Sequence, residues 1–266
     1  MFTLGRTIDL RYKPNVIIIL VTLIVFAIRR LSTGDILSGF SIGGGVFLTW
    51  ALSRELDPAH DYSAFISVAL SFFMLFYSDS IQLLVVSWLL LLLRGVNGIA
   101  GSELTILDVF SLFGLTVFLS FNNENSIFLF IYILAFVFII RTRTKKKAIW
   151  IAGALGSVLF LIQILFMNSL SLNRIGDLTT LTQLLMVFSV LSPIQFWFLS
   201  RIETEDDKGN KADRSKLFAR QLLYSMAVLL LVLTSNLSIN DTIIYLSVII
   251  GLSIYFVGNK QIKPSS

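Results

Sequence analysis

Apolar residues in this chain form long continuous runs instead of alternating with polar ones. Ten runs are each bounded by charged or turn-forming residues: 15–28, 36–52, 62–77, 80–93, 105–121, 127–140, 148–167, 178–199, 217–234 and 242–257. Such runs lack the polar face that a helix or strand of a soluble protein shows to water. We therefore predict an all-α fold, a polytopic integral membrane helix bundle of about ten transmembrane helices, as a single transmembrane domain over residues 1–266.

The second run is the weakest of the ten because glycine interrupts it repeatedly. Gly39 and Gly43 are spaced as in membrane helices whose neighbours approach closely, which is the interpretation that we favour. The alternative is an unwound segment that exposes backbone carbonyls to a ligand. The pattern leaves open whether residues 36–52 cross the bilayer or re-enter it.

Composition removes several classes of function. Hydrophobic residues make up 56% of the chain, and it has no cysteine and one histidine. Disulfides, thiolate metal sites and multi-histidine metal centres are therefore excluded within one chain. The net charge of +5 comes from basic residues at the ends of apolar runs, which is typical of membrane topology and predicts no nucleic-acid partner.

One short loop determines the predicted orientation. It holds five basic residues, Arg141, Arg143, Lys145, Lys146 and Lys147. Because basic loops stay on the cytoplasmic side, ten spans place both termini inside, with only Arg29, Arg30 and Arg174 among the basic residues outside. We predict a multi-pass protein of the cell membrane that contacts the lipid bilayer, with anionic lipid at these five residues.

Two further segments are predicted to lie in the cytoplasm. Residues 201–216 are dense in charges of both signs, which is typical of a mobile, solvated loop. Residues 258–266 form a polar tail after the last run.

The polar stretch SRELDPAHDYSA, residues 53–64, lies between the second and third runs. Pro58 is suited to the first position of a helix, and Asp57 before it is suited to the N-cap. The third helix is therefore predicted to begin at Pro58, with Asp61 in its first turn.

This stretch has two interpretations. In the functional one, Glu55, Asp57 and Asp61, with or without His60, hold a protonated substrate or a divalent metal such as Mg²⁺, which favours carboxylate oxygen. In the structural one, Asp57 caps a helix, Asp61 complements the helix dipole, and Arg54 pairs with Glu55.

A second polar stretch, RGVNGIAGSELTILD, covers residues 94–108. Its glycines, Gly95, Gly98 and Gly101, allow a nest of backbone N–H groups, and Arg94 and Asn97 add donors. This chemistry fits an anion such as phosphate, although the stretch lacks the Gly-Lys-Ser/Thr ending of a phosphate-binding loop.

Asp108 also has two interpretations. Thr105 and Asp108 have the spacing of a capping box, which would satisfy the first N–H groups of the fifth helix. An acid at the edge of an apolar run is also costly unless it is paired, which makes Asp108 a functional candidate with Arg94 or Arg54 as partner.

Two other sequence features predict local structure. The four tryptophans, Trp50, Trp88, Trp150 and Trp197, lie near the ends of runs, where indole rings anchor helices at the membrane interface. Pro193 falls inside the eighth run and predicts a kink near Ser189, because proline removes a backbone hydrogen bond.

Three functions fit these patterns. The favoured one is a carrier for a small polar solute, an ion or a lipid, with a cytoplasm-facing acidic site. The alternative is a membrane-embedded, Mg²⁺-dependent enzyme that acts on a lipid-linked phosphate, which requires Asp57, Asp61, Arg94 and Asp108 to meet in one cleft. The third is a non-catalytic subunit of a membrane complex.

Overall fold

The computed structural model describes residues 3–5, 9–97, 104–142, 147–167, 169–202 and 213–262. Within these ranges it contains ten α-helices, two short 3₁₀ segments and no β-strand. The helices are α1 Lys13–Thr33, α2 Ile36–Leu56, α3 Asp61–Ser71, α4 Leu83–Asn97, α5 Ile106–Asn122, α6 Ile127–Thr142, α7 Lys147–Met167, α8 Thr180–Leu199, α9 Arg214–Thr234 and α10 Ile239–Ile262. The 3₁₀ segments are Phe72–Phe76, which continues α3, and Ile175–Asp177.

Six of these helices are long and apolar enough to cross a membrane. They are α1, α2, α7, α8, α9 and α10 over residues 239–258. The helical segments Asp61–Phe76, Leu83–Val96, Ile106–Asn122 and Ile127–Thr142 are apolar but shorter. The all-helical, multi-pass prediction is therefore supported, whereas ten spans and the orientation of the termini stay predictions.

The helices divide into an inner and an outer group. In the most apolar stretch, α9 has 67% of its residues buried and α10 has 61%, whereas α1 has only 17% and α7 has 22%. Helices α2, α4 and α6 pack with α9, and α2 also packs against α10. The outer helices expose leucine, isoleucine and valine, as expected of surfaces that face lipid.

Helix α2 is continuous from Ile36 to Leu56 despite its glycines. A Cβ atom built on Gly39 would lie 3.0 Å from the Phe26 ring of α1, and one built on Gly43 would lie 3.2 Å from the Thr22 carbonyl oxygen. The glycines thus bring α1 and α2 close together. The alternative of an unwound segment is wrong, because close packing satisfies the backbone within an intact helix.

The predicted start of the third helix is wrong by three residues. Helix α3 begins at Asp61 with His60 at its N-cap, whereas Asp57 is the C-cap of α2. Pro58 lies in the turn between the two helices, and its carbonyl oxygen accepts a hydrogen bond from Arg54 Nη1 at 3.2 Å. The helix-start preferences of Asp57 and Pro58 are overridden here because α2 continues through Leu56.

Hydrogen bonds between segments define two ends of the bundle. Thr142 Oγ1 at the end of α6 donates to the Val96 carbonyl oxygen at the end of α4, 3.1 Å away. The same end holds the α2–α3 turn and the start of α9, and we call it the charged end. At the opposite end, the Gln82 N–H before α4 donates to Asp241 Oδ1 in the first turn of α10.

Two predictions inside helices need correction or refinement. Trp88 is not an interface anchor: its ring is fully buried, and its Nε1 donates to Thr116 Oγ1 of α5 at 2.8 Å. Pro193 lies within α8, and Ser192 Oγ donates to the Ser189 carbonyl oxygen, the acceptor that proline leaves without its usual N–H partner. Helix α8 is continuous from Thr180 to Leu199, and the kink near Ser189 stays a prediction.

Candidate functional site

A buried ion-pair network joins three helices at the charged end. Arg220 Nη1 on α9 lies 2.6 Å from Glu55 Oε1 on α2, and Arg94 Nε at the end of α4 lies 3.3 Å from Glu55 Oε2. The Arg220 side chain is fully buried, and Glu55 is 3% exposed. Arg94 and Glu55, both candidate site residues from the sequence, thus contact each other.

Arg220 is the site residue that the sequence analysis did not single out. It is the seventh residue of α9, about 9 Å from the start of that helix at 1.5 Å per residue. An ionisable side chain inside an apolar helix is costly unless it is paired, and it usually faces the bundle interior. A single arginine within the apolar run 217–234 was therefore the sequence feature that could have identified Arg220 as a site residue. Nothing in the local sequence indicated Glu55 as its partner.

Asp57 belongs to a separate polar group. Its Oδ1 lies 3.0 Å from His60 Nδ1, and its Oδ2 accepts a hydrogen bond of 2.7 Å from Ser63 Oγ. The His60 ring also packs on the Tyr255 ring of α10, with centroids 4.9 Å apart. Asp57 thus connects the α2–α3 turn to the first turn of α3.

Asp61 has its own partners. Arg54 Nη1 lies 2.5 Å from Asp61 Oδ1, and Tyr12 Oη donates to Asp61 Oδ2. Burial, and secondly this hydrogen bond, raise the pKa of the Tyr12 phenol above its usual value of 10.0. The predicted pairing of Arg54 with Glu55 is wrong, because Glu55 turns inward to Arg220 and Arg94.

Residues 3–5, which we call the N-terminal strap, lie across the charged end. The Thr3 backbone N–H and Oγ1 donate to the two oxygens of Asp108 at 2.6 and 2.5 Å. Arg94 Nη1 donates to the Leu4 carbonyl oxygen at 3.2 Å, and the Leu4 side chain is buried in the core. The strap therefore links the end of α4 to the start of α5.

The capping box predicted for α5 is confirmed. The Asp108 N–H donates to Thr105 Oγ1, while the Thr105 N–H donates to Asp108 Oδ2. The suggested direct pairing of Asp108 with Arg94 or Arg54 is not what the structure shows, because Asp108 accepts hydrogen bonds from Thr3 and Thr105. Within the described residues, Arg94 is connected to Asp108 through Leu4 and Thr3 of the strap.

Several predicted donors lie partly outside the described residues. Asn97 is the last residue of α4, and its side chain is outside them, as are Gly98 and Gly101. Gly95 lies within α4, so it adopts helical geometry and does not form a nest. In the basic loop, Arg141 and Lys147 are exposed, and Arg143, Lys145 and Lys146 are outside the described residues.

The predicted metal set does not assemble. Glu55 faces two guanidinium groups, Asp57 faces His60 and Ser63, and Asp61 faces Arg54 and Tyr12. Among the described residues, no group of three or more histidine, aspartate or glutamate side chains is placed to hold a metal ion. The three carboxylates thus contact different protein groups.

Two of the buried polar atoms without a hydrogen-bond partner within the described part of the chain lie on α2 and α9. They are Ser53 Oγ on α2 and Gln221 Oε1 on α9, and both side chains are fully buried. Gln221 Nε2 donates to the Leu56 carbonyl oxygen at 2.8 Å. This bond fixes the orientation of the amide, because the flipped amide would place two acceptors together.

The opposite end has a second capping box and a cavity. Ser238 Oγ accepts from the Asp241 N–H, and Asp241 Oδ2 accepts from the Ser238 N–H at 3.3 Å. The sequence analysis missed this box, although its Ser-x-x-Asp spacing matches that of Thr105 and Asp108. The cavity, of about 500 Å³, lies between the start of α8 and the α9–α10 turn, and Arg174 and Thr182 are among its lining residues.

Comparison of the chain with protein-family models, with curated proteins and with solved structures found no match. The class of this protein is therefore defined by its own fold and site. It is an all-helical, multi-pass membrane protein whose inner helices are joined by a buried ion-pair network at one end.

Proposed function

We propose that this protein is a membrane carrier for a small polar solute, and that the network of Glu55, Arg94 and Arg220 closes its charged end. The observation that carries the proposal is the contact between Glu55 and Arg220, a fully buried guanidinium on a carboxylate between two apolar helices. Ionisable residues inside membrane helices are rare and costly, and they commonly mark solute and ion pathways.

The energetics of such a pair favour a gate. Removing two charges from water costs several kcal/mol for each ion, and the attraction between them offsets this cost only when the geometry is good. A buried pair therefore adds little net stability over apolar side chains, whereas separation of its ions requires water or solute to replace each partner. A purely structural contact at this position would be as stable with apolar side chains.

The position of the network fits closure of one end. Glu55, Arg94 and Arg220 come from three different inner helices, so their contacts hold these helices together where the chain turns. The N-terminal strap lies beside them. A carrier also needs access from the other side, and the cavity at the opposite end supports this requirement.

The orientation follows from charge. The end of α6, which precedes the basic loop in the sequence, is at the charged end, because it contacts the end of α4. By the positive-inside rule we assign this end to the cytoplasm. We further propose that the five basic residues of this loop contact anionic lipid headgroups.

The enzyme hypothesis has weaker support. It requires Asp57, Asp61, Arg94 and Asp108 to share one cleft, but the three carboxylates have separate protein partners. A phosphate held there would first have to break several of these hydrogen bonds.

The experiment is solute uptake by purified protein in proteoliposomes, with labelled amino acids, organic acids, sugars and inorganic ions as the panel. Single charge removal risks misfolding, so the test variant is E55Q/R220M, which removes both charges together. The control is Arg30→Met, which removes an exposed charge at the opposite end. We expect uptake of at least one solute by the wild type and the control, and initial rates reduced about tenfold or more in the double variant. Absence of uptake by the wild type, or unchanged rates in E55Q/R220M, would contradict the proposal.

A further inference from the structure

We infer that the cavity at the opposite end binds a small zwitterion with an ammonium group and a carboxylate, such as an amino acid, and that Arg174 and Asp177 recognise its two charges. The inference rests on the proposed function, because it names the class of solute that the carrier takes up at this end. The cavity volume of about 500 Å³ lies within the usual range of ligand pockets.

The first observation is that two opposite charges line one cavity without being paired. Arg174 and Asp177 are both lining residues, and both are exposed. Although they are three residues apart, they form no ion pair with each other, and across the described ranges neither charged group has a hydrogen-bond or ion-pair partner. The cavity therefore offers both a cation and an anion to a solute.

Asn173, another lining residue, adds an acceptor. Its Nδ2 donates to the carbonyl oxygens of Val232 and Ser235 at 3.1 and 3.0 Å, which fixes the orientation of the amide. Asn173 Oδ1 is consequently an acceptor, and it has no partner among the residues that the structure describes. An ammonium group has three N–H donors and no acceptor, so Asp177 and Asn173 together match it.

Thr179 and Thr182 add a donor to the cavity lining. Their Oγ1 atoms lie 2.8 Å apart, and Thr179 Oγ1 also accepts from the Thr182 N–H. The bond between the two hydroxyl groups uses one of their two hydrogens, and the other has no acceptor in the described part of the chain. A carboxylate only accepts hydrogen bonds, so Arg174 and this remaining hydroxyl hydrogen match it.

The segment that carries the two charged residues is attached to helices on both sides. The Asn173 N–H donates to the Leu233 carbonyl oxygen near the end of α9 at 2.7 Å. Gln183 Nε2 on α8 donates to the Leu178 carbonyl oxygen at 3.2 Å. These bonds hold the walls of the cavity before a solute arrives, and such preorganisation lowers the cost of binding.

The two charges select a zwitterion over simple ions. A solute with only a carboxylate meets the like charge of Asp177, and a solute with only an ammonium group meets the like charge of Arg174. Such contacts between like charges disfavour the wrong partner. An amino acid neutralises both residues within one small molecule.

The test measures binding to the purified protein in detergent by thermal shift and by calorimetry. The common amino acids are screened first, and the tightest binder is then compared with its deaminated acid and its decarboxylated amine. For L-alanine these analogues are propionate and ethylamine. We expect the amino acid to bind about fivefold or more tightly than either analogue, as loss of one hydrogen-bonded charge implies. Equal binding of an analogue, or no binding of any amino acid, would overturn the inference.

Two variants assign each charge to its residue. Arg174→Gln should remove the preference for the amino acid over the amine, and Asp177→Asn should remove the preference over the acid. The controls Arg30→Gln and Glu124→Gln remove exposed charges outside the cavity lining and should keep both preferences. All four positions are exposed, so the unfolding temperature without solute should stay unchanged. Unchanged preferences in Arg174→Gln and Asp177→Asn would overturn the inference.

The outcome separates this inference from the proposed function. If the wild type transports a solute other than an amino acid, and E55Q/R220M reduces that transport, the carrier proposal stands and the zwitterion inference fails. If an amino acid binds through Arg174 and Asp177 but no solute in the panel enters the proteoliposomes, the site stands and the carrier proposal fails.

Discussion

Arg220 and Glu55 form a direct ion pair across 165 residues of sequence, with Nη1 and Oε1 2.6 Å apart and both side chains buried. The contact joins α9 to α2 at the charged end. Replacing Glu55 by glutamine leaves a buried guanidinium without its carboxylate, so Glu55→Gln should lower the free energy of unfolding by about 3–5 kcal/mol. Denaturation in mixed micelles measures this change.

Two further variants separate the effect of leaving a buried charge unpaired from the effect of losing an exposed ion pair. E55Q/R220M should recover most of the lost stability, because both members of the fully buried pair are removed and Arg94, whose side chain is 18% exposed, keeps its hydrogen bond to the Leu4 carbonyl oxygen. Arg54→Gln disrupts the partly exposed pair with Asp61 and should cost about 1 kcal/mol or less. Similar losses in Glu55→Gln and Arg54→Gln would contradict the assignment of a buried network.

Gly251 allows close contact between α10 and α3. A Cβ atom at this position would lie 2.7 Å from the Ser67 backbone N and Cα, which cannot move as a side chain can. Gly251→Ala should therefore destabilise the protein by about 1–3 kcal/mol. Gly114 has no atom within 4 Å of such a Cβ, so Gly114→Ala should be neutral or stabilising by up to about 1 kcal/mol. Equal effects in the two variants would contradict the packing described here.

Asp108 holds the N-terminal strap as well as capping α5. Asp108→Ala should cost about 1–2 kcal/mol and increase hydrogen exchange at residues 3–5, because Thr3 loses both of its acceptors. Asp35→Ala is the control, because Asp35 caps α2 by accepting from Leu37 and Ser38 and holds no second segment in these contacts. Protection of the strap that persists in Asp108→Ala would show that other contacts hold it.

Tyr12 makes the stability of the folded protein depend on pH in the alkaline range. Its pKa is raised in the folded protein, so the protonated phenol is favoured by folding. The stability that it contributes should be complete below pH 10, the usual pKa, and should be lost as the pH rises through the folded value. Tyr12→Phe should remove this dependence, and Asp61→Asn should move the Tyr12 titration to lower pH, as followed by NMR of labelled tyrosine. An unchanged titration in Asp61→Asn would contradict the role of the hydrogen bond.

Much of the fold was predictable because hydrophobic runs report directly on helices in an apolar bundle. The run 36–52 corresponds to α2, and the capping box of Thr105 and Asp108 was readable from local spacing. The start of α3 was not, because Asp57 and Pro58 have strong helix-start preferences that tertiary contacts override. The bonds of Asp57 to Ser63 and of Gln221 to Leu56 stabilise the observed turn.

The site was predictable only in part, for a related physical reason. The dense charge around residue 55 and the arginine at position 94 marked Glu55 and Arg94 as candidate site residues from the local sequence. The third residue of the network, Arg220, belongs to a helix far along the chain. No local sequence pattern indicates pairing across such a separation. The predicted metal set failed because carboxylates close in sequence point to different helices in the structure.

The most direct measurement of the carrier proposal is the chemical accessibility of position 53 in the membrane. The chain has no cysteine, so Ser53→Cys provides a single thiol two residues before Glu55 on α2, and Ala135→Cys provides an equally buried control on α6. If the charged end opens during transport, a membrane-impermeant methanethiosulfonate added to inside-out vesicles should modify Ser53→Cys and leave Ala135→Cys unmodified. Absence of modification at position 53, or equal modification at both positions, would contradict an opening at the Glu55–Arg220 pair.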